Sequence, residues 1–260
     1  MADTLAGRVA IVTGGSRGIG FGIAEALAAE GARVMLAARD ASALESAVSR
    51  LRDQGRQADG FAADLRDPDA PAALVADTIA RAGHLDFVIN NAGATKRGAF
   101  LELSDADFAD GFALKYFGAV RLSRAAWPHL KVSRGSLVFI AGVGGRTPGA
   151  MFAVGGSVNA ALLSLTKSLA EAGRADGIQV NAVNPGAIRT GRLTTRLAAA
   201  AAEFGGDVAR AEAEFVTTER VTRIGEPKDI GGLIAFLVGP SGRFLHGALI
   251  DADGGATKTV

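Results

Sequence analysis

The sequence predicts an α/β fold in which residues 1–260 form one domain on a doubly wound parallel sheet, with helices on both faces. Two observations carry this. Short apolar runs alternate with amphipathic stretches of about ten to twenty residues, the rhythm of βαβ units. The first run, Val9-Ala10-Ile11-Val12-Thr13, enters the glycine-rich turn Gly14-Gly15-Ser16-Arg17-Gly18-Ile19-Gly20 and then a helix. With 260 residues, 48% of them hydrophobic, the chain can bury one large core, and no Pro-, Ser- or Gly-rich linker divides it.

Taken in order, the apolar runs place strands at Val9 to Thr13, Arg33 to Ala37, Ala58 to Ala63, Asp86 to Asn90, Ser136 to Ile140, Gln179 to Val183 and Ala248 to Ile250. The amphipathic stretches between them place helices at Gly18 to Glu30, Ala41 to Gln54, Pro71 to Ala82, Asp105 to Trp127, Ala153 to Ala172 and Asp229 to Val238. Thr190 to Arg223 breaks the rhythm: it is alanine-rich and carries no obvious strand. So long a connection in a compact domain is expected to be a lid that covers substrate.

Composition narrows the function. The net charge is +1 with both signs interspersed, which gives no footprint for nucleic acid or a lipid surface. There is no cysteine, hence no disulfide framework and no thiolate chemistry. No basic leader precedes an apolar run, and no stretch reaches the roughly 18 apolar residues of a spanning helix, so a soluble cytoplasmic protein is expected. His84, His129 and His246 lie far apart and outside any site motif. They are read as structural, and no metal site is expected.

The turn Thr13 to Gly20 fits T-G-x-x-x-G-x-G. Its glycines let the backbone approach a pyrophosphate, and the helix N-terminus supplies free N–H groups and a positive dipole end. Gly14, Ser16, Arg17, Gly18, Ile19 and Gly20 are therefore candidate cofactor contacts. At the end of the second strand a carboxylate would bond a ribose 2′-hydroxyl, whereas an arginine accommodates a 2′-phosphate. This chain has Ala38-Arg39, with Arg17 as a second cation, so NADP(H) is expected over NAD(H).

Together with this turn, Asp64-Leu65, Asn90-Asn91-Ala92-Gly93, Asn184-Pro185-Gly186 and Asp253-Gly254-Gly255 make the chain similar to the short-chain dehydrogenase/reductase family. The resemblance spans nearly the whole chain. It implies a Rossmann-type domain with about seven strands, a nicotinamide cofactor, a small-molecule substrate and a homotetramer. It further implies that Asp64 and Leu65 hold the adenine, that Asn91, Ala92 and Gly93 line the ribose side, and that Pro185, Ile188 and Thr190 flank the nicotinamide, with Gly186 a further cofactor contact.

Such enzymes use a tyrosine, a lysine one helical turn later, a serine and an asparagine. Aligned through Ala160 to Ala170, the tyrosine position is Gly155 and the lysine position Asn159; the serine position falls on Gly142 and the asparagine position on Lys115. Two of these changes are reciprocal, and Lys115 and Asn159 are expected to face one another and to be the catalytic candidates. The room opened by Gly155-Gly156 is left for a larger substrate, a water or a side chain of the 190–223 segment. Tyr116, the only tyrosine, neighbours Lys115 on a helix, so the two side chains diverge and the tyrosine is read as packed. Lys96, Arg97, Arg146 and Arg189 follow strand ends, where α/β ligands bind; they either hold an anionic substrate or are solvated. The function expected is an NADP(H)-dependent oxidoreductase with a remodelled proton-transfer site. A catalytically silent NADP(H)-binding protein and Schiff-base chemistry at Lys115 stand as alternatives.

Overall fold

The computed structural model describes residues 4–259. Its seven strands are β1 (Val9–Thr13), β2 (Arg33–Ala38), β3 (Ala58–Ala62), β4 (Phe87–Asn90), β5 (Ser136–Ile140), β6 (Gln179–Pro185) and β7 (Leu249–Ala252). They form one sheet in the order β3-β2-β1-β4-β5-β6-β7, every neighbouring pair being parallel. The helices are α1 (Gly18–Ala29), α2 (Ala41–Asp53), α3 (Ala70–Ala82), α4 (Asp105–Gly111), α5 (Gly118–Ser133), α6 (Ala153–Asp176), α7 (Gly191–Ala200), α8 (Val208–Glu219) and α9 (Pro227–Val238).

Strand side chains alternate between two cores. Ala10 and Val12 of β1 join Ile23 and Leu27 of α1 with Ile234 and Leu237 of α9 on one face. Ile11 joins Leu74 of α3, Leu122 of α5 and Leu162 of α6 on the other. A strand covered on both faces has no solvent side, which is why these runs read as continuously apolar. The strand order reverses between β1 and β4, and the crevice at the carboxyl ends there is where open α/β sheets bind ligands.

The helix expected over Asp105 to Trp127 is instead three segments. α4 is followed by a π-helical stretch, Phe112–Phe117, and then by α5. A π turn inserts one residue into the helical ladder and is enriched at functional sites. Here Leu114 and Tyr116 pack on the core, and Lys115 lies between them. The 190–223 segment holds no long strand: α7, a 3₁₀ turn at Ala201–Phe204 and α8 fill it, pinned at its base by the bridge from Ile188 to Gly225.

Candidate active site

The glycine turn after β1 is shaped by two left-handed glycines, Gly14 at φ +64° and Gly18 at φ +57°, a conformation that costs glycine nothing and other residues strain. Gly20 is demanded by proximity, since a Cβ there would lie 2.1 Å from the Gly14 carbonyl oxygen. α1 then begins without a side-chain cap and without an acidic residue in its first turn. Its free N–H groups are thus left for an anion.

The loop after β4 is bolted to this turn. Thr13 Oγ1 accepts from the backbone N–H groups of Asn91 and Ala92, both at 2.9 Å, and Asn91 Nδ2 donates to the Thr13 carbonyl at 2.8 Å. The Asn91 side chain is therefore spent on fixing the loop. At the edge of the cleft, Arg39 is 73% exposed and its Nη1 stands 3.8 Å from Asp64 Oδ2; Arg17 makes no ion pair among the described residues. Burial works against the Asp64 charge, yet the Arg66 backbone and guanidinium, with Arg39 beyond, hold its carboxyl below the ordinary value. Leu65 is buried beside it. On the far side, Thr190 approaches the glycine turn, its Cγ2 being 3.1 Å from where a Cβ on Gly18 would stand. Pro185 ends β6, Gly186 is bonded to Ala252, and Ile188 is buried.

At the centre the two reciprocal residues meet. Lys115 Nζ donates to Asn159 Oδ1 and to the Ala141 carbonyl, both at 2.5 Å. Asn159 is buried, and its Nδ2 stands 3.4 Å from the Gly142 carbonyl. The lysine stem lies across Gly93, where a Cβ would come within 2.8 Å of Lys115 Cδ. Gly93 is thus needed so that the lysine can cross the loop. Burial first, and then the charge of Arg192, lower the Lys115 ammonium from 10.5 to about 7. An ammonium has three N–H donors and an amine has two plus a lone pair. With two directions fixed by acceptors, the third carries a proton or a lone pair near neutrality, the condition for general acid–base work.

Near this pair lie Gly142 and Gly155, the two positions expected from the sequence to correspond to the family's serine and tyrosine. Gly142 sits at φ +126°, so a serine there would be strained as well as 3.0 Å from Asn159 Nδ2 at its Cβ. The room at Gly155 is filled neither by the 190–223 segment nor by empty space. Phe152 occupies it: a Cβ on Gly155 would lie 2.1 Å from Phe152 Cζ, and one on Gly144 would lie 2.7 Å from the same ring. Arg97 stacks on that ring, its Cζ 4.4 Å from the centroid. Phe152 was missed because its role appears only in space, although a bulky residue three positions before a glycine pair at a helix start was the available signal.

The other candidates separate cleanly. Lys96 is paired to Asp107 at 3.0 Å, Arg146 to Asp251 at 2.6 Å, and Arg189 to Glu212 and Glu226 at 2.5 and 2.8 Å. These arginines and the lysine hold elements together. Tyr116 packs edge-on against Phe112 and Phe117, at 5.9 and 5.3 Å between centroids. His84 contacts the Gly7 carbonyl and Asp86, and His246 links Val180 N to the Ala170 carbonyl. No group of three or more metal-ligating side chains exists, and no helix is long and apolar enough to cross a membrane, among the described residues.

Comparison with known proteins agrees with this architecture. A family model described as enoyl-(acyl carrier protein) reductase matches residues 14–257. An uncharacterised oxidoreductase of Mycobacterium tuberculosis is 38% identical over 252 residues, covering 96% of this chain and 92% of its own. The L-sorbose reductase of Gluconobacter frateurii, solved with NADPH and L-sorbose, superposes with a TM-score of 0.95 at 28% identity over the full length of both chains. An NADPH-bound short-chain oxidoreductase of Pseudomonas aeruginosa, described as containing an atypical catalytic center, superposes with a TM-score of 0.90 at 27% identity over 97% of this chain and 98% of that one. With a parallel seven-stranded sheet, a glycine turn at its switch point and these relatives, the chain belongs to the short-chain dehydrogenase/reductase family.

Proposed function

We propose that this chain is an NADP(H)-dependent carbonyl/alcohol oxidoreductase whose proton is moved by Lys115, positioned by Asn159, in place of the family's tyrosine. One observation carries the reading: Lys115 Nζ is held by two acceptors and reduced in basicity to about 7, with one direction left unassigned.

The residues present fit the cofactor. The two left-handed glycines and the uncapped start of α1 suit a pyrophosphate, and Arg39 with Arg17 suit a 2′-phosphate. The family resemblance supports a pose in which Asp64 and Leu65 hold the adenine, Asn91, Ala92 and Gly93 line the ribose side, and Pro185, Ile188 and Thr190 flank the nicotinamide. When bound, the reduced nicotinamide supplies a hydride. The chain's own part is to set the carbonyl oxygen against the third N–H of Lys115 and to give it that proton as negative charge develops there. In the oxidative direction the neutral amine takes the proton from the alcohol. Asn159 and the Ala141 carbonyl keep the nitrogen from swinging away, and burial keeps it from being permanently charged. α7 and α8 form the cover over the substrate side. The exposed Phe236 and Phe244 suit assembly as a homotetramer.

The test is loss of NADPH absorbance with a panel of ketones, imines and enones. The native protein is expected to turn over a member of the panel, and Lys115→Ala to lose that turnover while NADPH affinity weakens only modestly. Unchanged turnover in Lys115→Ala would remove the lysine from the reaction.

A further inference from the structure

Three guanidinium groups border the substrate side of the cleft with few carboxylates to balance them. Arg192 and Arg196 stand four residues apart on α7 and so share a face. Arg192 Nη2 reaches the Gly93 carbonyl at 2.8 Å, which seats that face on the loop after β4. The same loop carries Arg97. Burial, and then the charge of Arg196, pull Arg97 below the usual guanidinium range, with Glu219 opposing, so the two arginines lie within each other's field. Arg97 has no carboxylate within pairing distance among the described residues. Arg196 has one, Glu219, at a loose 3.6 Å. Elsewhere on the same segment Arg189 is fully engaged by two glutamates, so the deficit is particular to this face.

Arg192 lies near enough for its charge to act on Lys115, and Arg97 connects to the reacting position through packed groups. Arg97 caps Phe152; Phe152 packs over Gly144; and Gly144 adjoins Asn159, the partner of Lys115. Like charges on neighbouring turns repel, a cost that an anion placed among them would reverse. A guanidinium fork matches a planar carboxylate with two parallel hydrogen bonds.

Resting on the oxidoreductase reading above, we propose that the substrate is an oxo acid or its hydroxy acid, whose carboxylate is held between Arg97 and Arg196 at the face of α7 while its carbonyl faces Lys115. Arg192 anchors the helix in the position that forms this clamp. Phe152 gives the Arg97 guanidinium a flat support, leaving the edge of the fork for the ligand.

The test is calorimetric titration of the NADP⁺-loaded protein with 3-oxobutanoate, 4-oxopentanoate and 5-oxohexanoate, each beside its methyl ester. At least one acid should bind about tenfold or more tightly than its ester, the scale of a desolvated charge-assisted pair. Arg97→Gln with Arg196→Gln should bring acid and ester within about twofold, with NADPH affinity kept as the measure of a folded protein. Equal binding of every acid and ester, binding of no acid, or a preference that survives the double substitution would each overturn the clamp. The oxidoreductase reading is judged separately, by turnover of neutral ketones and esters. An acid preference in binding without turnover of any compound would leave the clamp standing and remove the redox reading.

Discussion

Replacing Lys115 by methionine should change how stability depends on pH, in a direction set by the geometry. In the folded chain the ammonium is lowered from 10.5 to about 7 by burial and by Arg192; unfolded, it regains its ordinary value. Between about pH 7 and 10.5 the unfolded chain therefore binds more protons at this site than the folded one. Stability contributed by the site rises with pH through that window. Below it both states are protonated and the full cost of the buried charge is present. At about 1.4 kcal/mol per pH unit, the interval sets a ceiling near 5 kcal/mol on this gain. Lys115→Met has nothing to titrate, and its lost hydrogen bonds to Asn159 and Ala141 give a pH-independent offset. Urea unfolding of both proteins at intervals from pH 6.5 to 10, without cofactor, should show the native protein gaining stability on the variant as pH rises. Parallel curves would refute the account of a desolvated lysine.

The cofactor cleft and the Phe152 contact can each be perturbed by a single substitution. Arg39→Asp should reverse the cofactor preference, costing about tenfold or more in NADPH affinity by removing a charge-assisted partner and adding repulsion; fluorescence titration of NADPH and NADH checks it, and an unchanged ratio would move the 2′-phosphate site elsewhere. Gly155→Ala should destabilise by about 1–3 kcal/mol by overpacking, since its Cβ would fall 2.1 Å from the Phe152 ring. Adding Phe152→Leu should recover part of the loss in urea unfolding, and no recovery would mean that Phe152 is not the obstruction.

Much of the sheet was legible because a doubly covered parallel strand leaves a continuous apolar run, as at Val9–Thr13 and Ser136–Ile140. The glycine turn was legible because positive φ and close approach each demand glycine. Less was visible where structure depends on partners in space. The π turn at Phe112–Phe117 has no local signature, so residues 105 to 127 read as one helix. The start of α9 lay two residues earlier than expected, at Pro227, with Glu226 and Asp229 capping it. The meeting of Lys115 and Asn159 followed from alignment with the family, but the Ala141 carbonyl as second acceptor did not, because a backbone atom has no residue type to recognise. Phe152 filling the space at Gly155 and Arg192 spanning 99 residues to Gly93 are contacts that the period of a helix or strand does not encode.

In the proposed reaction Lys115 moves the proton. The most direct test of this is the pH dependence of kcat/KM for carbonyl reduction with NADPH, using a ketone found by the panel. Reduction needs the protonated amine, so the rate should fall as pH rises through about 7, and Lys115→Met should lose the break together with the activity. A profile that stays level to about pH 9, or one that Lys115→Met reproduces, would contradict the assignment.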